Sequence, residues 1–242
     1  MTRSIDDCIF DFAYVMAMRD ATLQQAFPVK NKRLLWQEHD DTKEEKLLSQ
    51  LRNEIKHLLN EYVESIFSDS AQDFYCAAKK VQEAVDEFIA KAKKISNGMP
   101  DDAPGFTFGN TQKLINMTAK YMYMSLYKSD KQDDLRKNFS VCHCPMDSIM
   151  LEKVAEAAFE EEDAPLKNFR EKCCKPRAKN KIKDDVKWSK LDWKEGEAGP
   201  SVPEEYRLFQ EAIEELVNRD ARVSCPLEYD FIAWNPFFEN EE

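Results

Sequence analysis

Three clusters of side chains in this 242-residue chain have types and spacing suited to chemistry. Cys142-His143-Cys144-Pro145-Met146-Asp147 places two thiols, an imidazole and a carboxylate within six residues. Thiolate and imidazole are good zinc ligands, and Cys173-Cys174 would complete a tetrahedral set if the later segment folds back on this one. Paired cysteines in zinc ribbons are usually separated by two to four residues. The spacing here departs from that, so free thiols are expected and no metal or cofactor is assigned. Cys144 also precedes an expected helix start, where the helix dipole lowers a thiol pKa and favours nucleophilic attack, with His143 and Asp147 close in sequence. The plainer reading of Pro145 and Asp147 is a helix-start signal with Asp147 as cap.

The second cluster is Gln112, Lys113, Asn116 and Lys120, at steps of three and four residues. On a helix they share a face able to hydrogen-bond a phosphate, a base or an acidic partner. The turn Gly105-Phe106-Thr107-Phe108-Gly109 precedes them at a helix N-terminus, where anions bind readily. A solvated polar face is the competing reading. The third cluster runs from Lys167 to Lys190, with ten basic and three acidic residues. With Trp188 and Trp193 it has cations for phosphate and aromatic faces for stacking single-stranded nucleic acid. Its rival is a solvated loop whose tryptophans pin its end to the core.

One further pattern carries a catalytic implication. Arg52-Asn53-Glu54-Ile55-Lys56-His57 has an arginine, a polar residue and then a histidine, and it resembles the short signature of the HEPN ribonucleases. The resemblance covers these six residues. It implies metal-independent RNA cleavage, with Arg52 binding phosphate and His57 assisting proton transfer across a dimer interface. On one helix the two lie about 140° apart, so a single copy does not bring them together. Two exposed polar residues beside an apolar stripe are the competing reading.

Composition bounds the elements that must position these clusters. Five glycines and 33% charged residues favour long helices over strands and tight turns. The first apolar run, Phe12 to Met18, is flanked by Asp11, Arg19 and Asp20, which suits neither a signal peptide nor a membrane span. A soluble cytoplasmic chain with no membrane partner is expected. Seven cysteines, two of them adjacent, make a poor disulfide framework and read as reduced thiols. The net charge of −11 hides a local +7 between Lys167 and Lys190, leaving −18 elsewhere. The chain as a whole therefore does not read as a nucleic-acid binder, although that stretch does.

Periodicity predicts a helix over 4–27, opened by Ser4 and ended by Pro28. A second spans 41–68, with a Thr42/Glu45 capping box and apolar residues from Leu47 to Phe67 at steps of three and four. A third covers 71–96, stopped by Asn97-Gly98-Met99-Pro100. The short connection between these two predicts an antiparallel pair. A fourth helix begins near Asn110 and runs to Lys128. Another follows Asp147 to Glu162, a long irregular break spans 163–202, and two last helices cover 203–219 and 227–234.

Trp188-Ser189-Lys190-Leu191-Asp192 and Pro226-Leu227-Glu228-Tyr229-Asp230-Phe231-Ile232-Ala233-Trp234, with the Gln112 and His143 segments, resemble stretches of small uncharacterised bacterial proteins. That resemblance points to a bacterial origin and implies no activity. The sequence is read as a single all-α domain over 1–242, with a helical scaffold over 1–97, helices with functional breaks over 98–242, and an irregular basic loop. Its breaks are expected to converge on a polar patch of Gln112, Lys113, Asn116, Lys120, His143, Asp147, Trp188 and Lys190. That patch would bind an anionic ligand: RNA, a nucleotide or an acidic protein segment. The alternatives are a ribonuclease centred on Arg52 and His57, and a non-enzymatic interaction module whose acidic helices do the binding.

Overall fold

The computed structural model describes residues 5–19, 43–68, 73–95, 106–127, 137–176, 178, 181–195 and 201–234. The protein is all-α. Among the described residues the long elements are eight α-helices: α1 (Ile5–Met18), α2 (Lys43–Ile66), α3 (Phe74–Ile95), α4 (Phe108–Leu126), α5 (Ser148–Glu160), α6 (Ala164–Cys173), α7 (Glu204–Arg219) and α8 (Pro226–Trp234). A 3-10 turn covers Trp188–Lys190, and two isolated antiparallel bridges join Cys174 with Ile182 and Lys194 with Ser201. The chain divides into two compact units, Met1–Leu126 and Tyr127–Glu242.

In the first unit α2 buries Leu51, Ile55, Leu59, Tyr62, Val63 and Ile66, one stripe at helical spacing. The matching stripe of α3 is Phe74, Ala77, Ala78, Val81, Val85 and Phe88. Each large side chain buried this way contributes about 1.5–3 kcal/mol. The pair is antiparallel: Lys80 meets Glu61 at 3.9 Å, while Leu51 and Glu54 share a groove with Phe88 and Lys91. Small residues, Ala13 and Ala17, lie among the buried positions of α1, which packs most extensively on α4. Tyr14 of α1 donates its hydroxyl hydrogen to the Arg52 carbonyl of α2 at 3.2 Å, and Asp11 pairs with Lys56.

The start of α4 lies two residues ahead of the expected Asn110 because Thr107 caps it. The Thr107 hydroxyl accepts from the Asn110 N–H at 3.3 Å, and the Asn110 side-chain oxygen accepts from the Thr107 N–H at 3.1 Å. This is a capping box with asparagine in the place usually held by glutamate or glutamine. Arg19 forms a turn after α1, and the expected signals at Ser4, Pro28, Thr42 and 97–100, with residues 20–27 of the expected first helix, lie outside the described residues.

The second unit corrects one expectation. Residues 164–173, read as the opening of an irregular break, form α6. Pro165 lies in its first turn, and Leu166, Phe169 and Cys173 make a short buried stripe against α7 and α5. Side chains then close the helix ends. Asp147 accepts from the Met150 N–H at 3.0 Å at the start of α5, as expected. One Arg170 nitrogen donates to the carbonyls of Ala158, Phe159 and Glu161 at 3.3, 3.0 and 3.1 Å, closing the far end of α5. Lys183 does the same for α6, donating to the Glu171 and Lys172 carbonyls. Arg219 ties the last turn of α7 to Glu161 and Asp163 as well as to its own Glu215.

Candidate anion-binding site

The segment Cys142 to Asp147 folds as an extended entry into α5, laid against α7. Gln210 anchors it: its side-chain oxygen accepts from the Cys144 N–H at 3.1 Å, and its amide donates to the Cys144 carbonyl at 2.8 Å. A backbone peptide that would otherwise be buried without partners is thereby satisfied. One turn earlier on α7, the Tyr206 hydroxyl shares a 3.0 Å hydrogen bond with Nδ1 of His143. Burial holds the His143 pKa down at about 4, so the ring is neutral near pH 7. A neutral imidazole offers a hydrogen bond but no charge to an anion.

Cys144 is fully buried, with its Sγ 3.8 Å from the Pro145 carbonyl oxygen. The helix-start reading of Pro145 and Asp147 describes this segment, and the nucleophile reading lacks an accessible thiol. Burial pushes the Cys173 thiol up to about 12 and the Cys174 thiol up to about 11, so both stay protonated. Among the described residues no three His, Cys, Asp or Glu side chains are grouped to hold a metal ion, the cluster of Cys142, His143, Cys144, Cys173 and Cys174 included.

Among the described residues the basic stretch divides in two by what its cations do. Lys167 pairs with Glu162 and Lys172 with Glu204 at 2.6 Å, the latter contact raising the lysine pKa. Lys175 pairs with Asp184 at 2.8 Å, and Arg170 and Lys183 seal helix ends. These five side chains hold the fold together. Lys181, Lys187, Lys190 and Lys194 are exposed, and among the described residues no hydrogen bond or ion pair engages their ammonium groups. Lys187 and Lys194 act on Asp184 and Glu204 through charge at longer range. Trp188 is buried in the turn that carries Lys190, and Leu191 beside it is buried too. The indole thus pins the segment and presents no open face for stacking.

The other expected site residues are placed as follows. Gln112, Lys113 and Asn116 lie in the first unit and are buried, with the Asn116 amide donating to the Gln112 side-chain oxygen at 3.1 Å. They form no solvated face, because all three side chains are buried and Gln112 and Asn116 meet each other. Lys120 is half-buried on the same helix. His143, Asp147, Trp188 and Lys190 lie in the second unit, with Asp147 used as a cap. Of the eight, Lys190 alone is fully exposed. Arg52 and His57 lie on α2, and His57 is exposed and 3.3 Å from Glu61. Sequence reasoning missed Tyr206 and Gln210. Both sit within the apolar stripe of α7 beside Phe209 and Ile213, and that position is the signal of a buried polar group with a partner.

Comparison with family models, with curated proteins and with solved structures finds no significant match to this chain. Among the described residues no helix is long and apolar enough to cross a membrane.

Proposed function

We propose that the protein binds the phosphate backbone of single-stranded RNA through Lys181, Lys187, Lys190 and Lys194. The observation that carries this reading is the division of the basic stretch. Among the described residues five cations are committed to the fold, while these four are exposed with no hydrogen bond or ion pair at their ammonium groups, and buried Trp188 fixes the turn between Lys187 and Lys190. Counterions released from RNA as these ammonium groups meet phosphate supply the affinity, against the rotamer freedom that each exposed lysine gives up. With Trp188 in the core and Trp193 half-buried, stacking adds little, so homopolymers of different base bind alike.

The test is a salt titration of binding to a single-stranded RNA. Each phosphate neutralised contributes a slope of about −0.7 in log K against log salt, so four lysines give about −3. Replacing all four by Gln abolishes binding and leaves thermal stability within about 0.5 kcal/mol, as surface changes do. Absence of RNA binding at low salt overturns the reading. Equal competition by polyglutamate moves it to an acidic protein partner, and equal competition by mononucleotides to a nucleotide site.

A further inference from the structure

The first unit contains a cavity of about 360 Å³ lined by Ile9 and Phe10 of α1, Asn60, Val63, Glu64 and Phe67 at the end of α2, and Met122 and Leu126 of α4. That volume falls within the roughly 300–1,000 Å³ typical of small-molecule sites. Six of the eight lining side chains among the described residues are apolar, and the two polar ones are neighbours on one turn of α2. Asn60 donates its side-chain amide to Oε1 of Glu64 at 2.7 Å, which fixes the carboxylate. Among the described residues no cation pairs with Glu64.

Two helix ends strengthen the negative field there. Glu64 belongs to the last turn of α2, and Leu126 is the last residue of α4. Neither helix has a basic residue in its last turn, so among the described residues no cation there offsets the partial negative charge of either C-terminus. Ile9 and Phe10 enter from the second turn of α1, beyond the reach of the positive charge at its N-terminus. Phe67, exposed, lines the same cavity three residues after Glu64.

We propose that this cavity binds a small amphipathic amine, with its apolar body against Ile9, Phe10, Val63, Met122 and Leu126 and its ammonium group at Glu64. The carboxylate and the two helix C-termini select for positive charge, and the apolar walls accept hydrocarbon.

The experiment compares octylamine, octanol and octanoate by calorimetry and by NMR shifts on the full chain at pH 7. Octylamine binds at least tenfold more tightly than octanol, and octanoate does not bind. Glu64→Gln, a change on an exposed side chain, lowers octylamine to the level of octanol. Leu126→Trp fills the cavity and removes binding of both. The proposal is overturned if none of the three binds at millimolar concentration, if octylamine and octanol bind equally, or if the amine preference survives Glu64→Gln. The Glu64→Gln comparison decides the matter even if Leu126→Trp fails to fold.

Discussion

The two units satisfy their buried polar groups in different ways. In residues 1–126 α2, α3 and α4 have 24, 22 and 19 residues, and several buried hydrogen bonds come from neutral side chains within these helices. Gln82 of α3 accepts from the Thr111 hydroxyl at 2.7 Å and donates to the Phe106 carbonyl at 2.7 Å. Gln112 and Asn116 pair along α4. In residues 127–242 the helices α5, α6 and α8 have only 13, 10 and 9 residues. There Gln210, Arg170 and Lys183 bond to backbone at helix starts and ends. Helices shorter than about 12 residues are marginal by themselves, because few of their backbone groups find partners within the helix. Short helices therefore draw on cations to close their ends, and the basic composition of 167–190 is in part a structural requirement.

This contrast can be broken or sharpened by substitution. The largest effect is expected at Gln210→Leu, which strips both partners from the buried Cys144 peptide and should cost about 4 kcal/mol in urea unfolding. A cost under 1 kcal/mol would mean that the Cys144 backbone does not depend on this side chain. The next concerns His143. Its ring takes a proton near pH 6.5 in the unfolded chain but only at about pH 4 in the folded one. The unfolded state binds more protons between those values, so stability is lost as pH falls from 6.5 to 4, by up to about 3 kcal/mol. His143→Asn should flatten that dependence relative to the parent chain, measured as urea midpoint against pH. The smallest is Gln82→Leu in the first unit, expected to cost about 2 kcal/mol because Thr111 and the Phe106 carbonyl lose one partner each. If it costs more than Gln210→Leu, the distinction between the units fails.

The apolar stripes of α2 and α3 were legible because a long amphipathic helix repeats its period many times. The α6 helix was not, since its buried stripe has three positions and lies in a run whose charge dominates the reading. The α4 helix shows a different limit. Gln112 and Asn116 at helical spacing look the same whether they face water or each other, and here they face each other. Position within an apolar stripe separates the two cases better than residue type. Gln210 follows Tyr206 and Phe209, and Gln82 lies between Val81 and Val85, and both are buried with partners on other segments. For the proposed RNA surface the sequence supplied the total charge. The share of it tied up in Lys172–Glu204 and Lys175–Asp184 came only with the fold.

Lys183 has a consequence for covalent modification. Its ammonium seals the end of α6 while Lys187 and Lys190, a few residues on, stand in solvent. An acetyl group has unlike effects at these positions. At Lys187 or Lys190 it erases one charge from the surface, whereas at Lys183 it takes from two carbonyl oxygens the cation that satisfies them and loosens the helix beneath. Acylation along this one short segment would thus tune affinity at some lysines and fold integrity at another.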